Sequence, residues 1–167
     1  FSLEGKRLWI VGMSPLGLER VVKVKFLLAT SISLLISFPL IWLSSNMLQL
    51  PTDQKLFFCG SICVMAIALN GLAVGMGVMY PNLKEDNPSK IVSGFGGTFC
   101  LVVSFVYIGL AVMMLGIGSP FGSPWQMSGR AELGQQMIYM GMFVFASLAV
   151  GLGPFWYALH RARNFEH

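Results

Sequence analysis

Cys59 and Cys63 stand one helical turn apart, so a helix would bring both thiols to one face, the arrangement from which a metal site or a redox pair can be built. No third ligand accompanies them. Cys100 is distant in the chain, no CxxC pair occurs, and no cluster of His and carboxylates lies nearby. All three cysteines sit inside apolar runs and read as small packing residues, with no metal site expected. The run Gly94-Phe95-Gly96-Gly97 has the glycine density of a phosphate cradle, but no strand pattern precedes it and no Gly-Lys-Ser/Thr follows, so no nucleotide or other cofactor is expected here. His160, beside Arg161 at the end of an apolar run, reads as an interfacial anchor rather than a catalyst. No catalytic residue emerges, and the chain is not expected to be an enzyme.

The elements that hold these residues explain why chemistry is so sparse. Four stretches free of charge run Phe26–Thr52, Leu56–Leu83, Ile91–Gly129 and Leu133–Leu159, and nearly every ionisable residue lies at their edges.

 

A bilayer core roughly 30 Å thick asks for about 20 apolar residues per helix, and each stretch supplies them. With 55% hydrophobic and 11% charged residues, the 167-residue chain lies far from the usual soluble composition, in which about 25% of residues are charged. The sequence therefore predicts an all-α membrane protein with four transmembrane helices, at about 26–46, 56–80, 89–115 and 134–158. They form a transmembrane domain over 26–167, after a cytoplasmic amphipathic segment over 1–25. The opening residues mix charged and apolar types and carry no signal-peptide pattern; the chain is expected to be a piece of something longer.

Within 1–25, Leu3, Trp9, Ile10, Leu16 and Val22 interleave with Glu4, Lys6, Arg7, Glu19 and Arg20, the pattern of a segment lying on a membrane or a partner. Gly12 is placed to end a first short helix. Ser14-Pro15 reads as an N-cap followed by proline at the first helical position, opening the helix that becomes the first span. Pro39 is a candidate kink in that span. Pro51-Thr52-Asp53 marks a short turn, and residues 81–88 form a solvated loop. Asn87-Pro88 repeats the cap-and-proline logic before the third span. Gly116 to Gly129, rich in Gly, Pro and Ser with Phe121 and Trp125, is expected to lie as a loop at the interface.

Of the 11 Lys and Arg residues, Lys55 and Arg130 fall on one side of this topology and all the others fall on the opposite side. The positive-inside rule then puts both termini and the 81–90 loop in the cytoplasm, with membrane lipid rather than nucleic acid as the partner of the basic residues. The four charge-free stretches contain no Asp, Glu, Lys, Arg or His, which argues against a proton-coupled transporter, a redox enzyme or an intramembrane metalloprotease. Their polar residues include Ser31, Ser33, Ser37, Asn70, Ser93, Thr98, Ser104 and Ser147. Asn70 is the most costly of these to bury and reads as interhelical glue or a substrate contact. Gly71 and Gly75 have GxxxG spacing, Gly94 and Gly97 crowd the start of the third span, and Gly151 and Gly153 precede Pro154; such glycines serve close helix packing or movement.

Ser2-Leu3-Glu4-Gly5-Lys6-Arg7, then Ser14-Pro15 and Lys25 before a span, resembles the cytoplasmic coupling-helix region of type-two ABC exporter permeases. Together with Glu85-Asp86-Asn87-Pro88-Ser89-Lys90 and Ile91 to Thr98, it is similar to a bacterial and archaeal branch of ABC exporters. The resemblance implies the third to sixth spans of a six-span permease unit in a prokaryotic inner or cytoplasmic membrane. It also implies a separate ABC ATPase subunit on the cytoplasmic face, and further permease helices or a second permease half. Glu4, Lys6, Arg7 and Trp9, with Glu85 and Asp86 in the loop, are then the candidate ATPase-coupling contacts; without a coupling role, residues 3–12 would be an interfacial anchor. One departure is Val24-Lys25, where the family has Gly-Lys. The alternative function is a four-helix membrane scaffold or assembly factor that uses its glycine faces to bind other helices.

Overall fold

A computed structural model describes residues 17–80, 90, 94–119 and 133–164. They form four long helices: α1 Gly17–Met47, α2 Thr52–Met79, α3 Phe95–Gly118 and α4 Leu133–Asn164. All four are long and apolar enough to cross a membrane. In hydrocarbon no water competes for backbone N–H and C=O groups, so a helix that satisfies them internally is the form these apolar runs must take. The amphipathic segment expected before Gly17 lies outside the described residues.

Local chemistry sets the ends. Glu19 stands in the first turn of α1, where a negative charge meets the positive end of the helix dipole, and its carboxylate accepts from Lys23 Nζ at 2.5 Å. This exposed i,i+4 pair contributes about 0.3–0.5 kcal/mol. At the other end the Leu50 N–H donates to the Ser45 carbonyl and the Gln49 N–H to the Asn46 carbonyl, both at 3.1 Å, with Gln49 at φ 53°. This is the Schellman ending, with glutamine in the left-handed position that glycine usually fills. Pro51, extended at φ −62° and ψ 155°, then starts α2. Lys55 Nζ donates to Asn46 Oδ1 at 2.6 Å across the turn.

The helix bounds differ from the sequence expectation in three places. Helix α1 passes Pro39 and reaches Met47, and α2 already begins at Thr52, so Lys55 belongs to a helix rather than to the turn. Helix α3 begins at Phe95, after an extended Gly94, and Lys90 is helical ahead of that break; the Thr98 N–H makes the first bond of α3 to the Gly94 carbonyl at 3.0 Å. Its far end runs to Gly118, because Gly116 and Ile117 continue the apolar helix instead of opening the loop. The rest of that loop, including Phe121 and Trp125, lies outside the described residues, as do Asn87 and Pro88.

Helix α2 is the centre of the bundle: 39% of its most apolar stretch is buried, against 0% for α1. It pairs most extensively with α4, and α1 and α3 each pack on both members of that pair. Two apolar clusters result. Val22, Val78 and Ala158 join the start of α1 to the ends of α2 and α4, while Ala68, Tyr107, Ala111 and Phe143 join α2, α3 and α4 nearer their middles. The outer surface carries large apolar side chains such as Leu35, Phe105 and Phe145, each more than two-thirds exposed, whereas Ala68, Ala111, Gly71 and Ser147 are buried. This distribution suits lipid outside and close van der Waals packing within. The chain is a multi-pass membrane protein.

Candidate functional site

The closest helix contact is a seam between α2 and α4. A Cβ added at Gly71 would lie 2.6 Å from the Gly151 carbonyl oxygen, and one at Gly75 would lie 2.6 Å from the Pro154 carbonyl carbon. A Cβ at Gly151 would lie 2.6 Å from Ala68 Cα. Backbone therefore rests on backbone over one turn of each helix, which larger side chains would prevent. Gly77 and Gly153 face open space instead. In the Gly94–Gly97 run, a close approach occurs at Gly96, where an added Cβ would lie 2.8 Å from Tyr80 Cβ. Gly94 is the extended residue before α3, and Gly97 is half-buried.

Polar groups in the spans largely satisfy themselves on their own helices. Asn70 Nδ2 donates to the Ala66 carbonyl at 2.8 Å, so its amide serves its own helix where an interhelical bond was expected. The carbonyl one turn back is the nearest acceptor, and it needs no second helix. Ser104 donates to the Cys100 carbonyl at 2.8 Å and Thr98 to that of Gly94 at 3.0 Å, in the same manner. Tyr107 behaves differently: its hydroxyl donates to Ser147 Oγ at 2.8 Å, and Ser147 in turn donates to the Phe143 carbonyl at 2.7 Å. Both residues are buried, so this chain fixes α3 to α4. Sequence reasoning named Ser147 but passed over Tyr107, although a phenolic hydroxyl deep in a span demands a partner.

A slot of about 120 Å³ opens between α3 and α4, lined by apolar residues including Val103, Leu110, Met114, Ala146 and Val150. Ligand pockets usually hold about 300–1,000 Å³ and a few convergent polar groups, so this slot suits hydrocarbon rather than a polar substrate. No group of three or more His, Cys, Asp or Glu that could hold a metal occurs among the described residues. Cys59 and Cys63 lie on α2, with Cys59 buried and Cys63 half-buried.

The family described as "Putative ATP-binding cassette" matches residues 1–167. The chain belongs to this family. No curated protein and no solved structure matches it. Membership ties this ABC-related membrane chain to ABC transporters in general, yet its sequence contains no phosphate-binding loop of the form GxxxxGK[ST]. Of the residues singled out from sequence, Asn70, Gly71, Gly75, Gly94 and Gly97 are placed by the fold as given above. Glu4, Lys6, Arg7, Trp9, Glu85 and Asp86 lie outside the described residues.

Proposed function

We propose that this chain is the membrane-spanning permease component of an ATP-driven ABC exporter, working with a separate ATPase subunit that supplies nucleotide hydrolysis. The observation that carries this reading is a full-length match to an ABC-related family in a chain made of four apolar helices and lacking a phosphate-binding loop. The chain contributes helices, and the nucleotide chemistry falls to its partner.

Both termini and the 81–90 loop face the cytoplasm in this proposal. The start of α1 carries Arg20, Lys23 and Lys25, and its Val22 packs with Val78 and Ala158 near the ends of α2 and α4. Tyr80, after α2, meets Phe95 at the start of α3 with ring centroids 5.7 Å apart. These helix ends therefore gather on one side of the bundle, and basic residues there favour the cytoplasmic face. An ATPase would engage Glu4, Lys6, Arg7 and Trp9, with Glu85 and Asp86 as secondary contacts, and its closure would displace the base of α1. The small slot between α3 and α4 supports a path completed by further permease helices or a second half.

Purification from native membrane, followed by identification of a bound ATPase and assay of its hydrolysis, tests the proposal. Glu4→Lys is expected to leave insertion unchanged while abolishing the chain's effect on ATP hydrolysis. Normal coupling in that variant would overturn the assigned contact, and a native preparation with no ATPase would overturn the exporter reading.

A further inference from the structure

We propose that α4 bends at Gly151–Pro154 against a pivot on α2, and that the segment beyond the bend carries the base of α1 with it. The bend is a property of this bundle and stands whether or not an ATPase docks.

Pro154 lies inside α4 and has no N–H, so the Val150 carbonyl loses its intrahelical donor and the proline ring crowds the preceding turn. Helices bend at such points. Gly151 and Gly153 flank the weak turn, and a Cβ added at Gly153 would meet nothing within 4 Å, leaving room on that side for the backbone to move. Toward α2 there is no such room. The Gly71 and Gly75 backbones rest directly against Gly151 and Pro154, making that contact the fulcrum.

Both sides of the bend pack on α2, through Ala68 before it and Val78 beyond it, and each side also holds a second, different helix. Before it, Ser147 is hydrogen-bonded to Tyr107 and Phe143 packs in the cluster with Ala111, tying this part of α4 to α3. Beyond it, Ala158 and Val22 are both fully buried in one cluster, and the Phe155 ring meets that of Phe26 at a tilt of 38° with centroids 4.5 Å apart. Bending at Pro154 therefore moves the end of α4 and the start of α1 together, while α3 and the earlier part of α4 stay fixed.

Distances between paired nitroxide labels test this in the full chain in lipid nanodiscs, with Cys59, Cys63 and Cys100 replaced by alanine. Labels at Met142→Cys and Tyr157→Cys, both exposed positions, straddle the bend. A straight helix would separate those positions by about 22 Å. The Pro154-containing chain is expected to give a broad distribution with a shorter population, and Pro154→Ala a single narrow one near the straight-helix value. Alanine restores the N–H and keeps the Cβ that lies beside Gly75, so packing at the fulcrum is retained. Labels at Arg20→Cys and Tyr157→Cys should give a narrow distribution in both chains. A narrow first distribution with Pro154 present, or breadth that survives Pro154→Ala, would overturn the hinge. Broadening of the Arg20–Tyr157 distance would overturn the linkage to α1.

Discussion

Gly71→Ala adds one methyl group where the fold leaves no space for it. The new Cβ would lie 2.6 Å from the Gly151 carbonyl oxygen, 3.0 Å from its carbonyl carbon and 3.2 Å from its Cα. All three are backbone atoms, so no side chain can turn aside, and α2 and α4 must separate by about 1 Å to restore ordinary contact near 3.5–4.0 Å. A gap of that size forfeits roughly a quarter to a half of each dispersion contact along the seam. Overpacking costs about 1–3 kcal/mol, and the better helix propensity of alanine returns about 1 kcal/mol, leaving a net loss of up to about 2 kcal/mol. Gly77→Ala provides the comparison on the same helix, because nothing lies within 4 Å of its added Cβ. Unfolding of the detergent-solubilised chain, followed by intrinsic fluorescence, should show Gly71→Ala less stable than the parent and Gly77→Ala unchanged or slightly more stable. Equal stability of the two variants would refute the argument that backbone contact at the seam holds the bundle together.

Removing the Tyr107 hydroxyl as Tyr107→Phe should destabilise the chain by about 1 kcal/mol, and a double-mutant cycle with Ser147→Ala should recover a coupling energy of similar size in equilibrium unfolding. Gln49→Gly relieves a left-handed residue at the end of α1 and should raise stability by up to about 1 kcal/mol, read as a higher unfolding midpoint.

The spans were legible because charge is excluded from hydrocarbon: the flanking Lys23, Lys25, Lys55 and Lys90 bracket the apolar runs whatever the packing inside. The exact helix ends were less so. Helix α2 starts at Thr52, inside the Pro51-Thr52-Asp53 stretch that reads as a turn, and α3 runs through Gly116 and Ile117, which read as loop, since local signals compete with tertiary placement. Which faces meet was the least legible feature. With apolar residues on nearly every side of each span, periodicity carries little contrast, and GxxxG spacing at Gly71 and Gly75 does not reveal that Gly151 and Pro154 lie opposite. Asn70 shows the same limit: its cost in lipid was evident from its type, but its acceptor at Ala66 depended on its side-chain rotamer. Tyr107 was hidden by its ring, which groups it with the apolar residues that surround it.

Single-cysteine labelling of intact cells tests the central claim, that this chain spans a membrane with its basic helix ends in the cytoplasm. With Cys59, Cys63 and Cys100 replaced, a membrane-impermeant thiol reagent added from outside should modify Asp53→Cys, in the first turn of α2, and spare Lys90→Cys until the cells are opened. Modification of Lys90→Cys in sealed cells, with Asp53→Cys protected, would contradict the account.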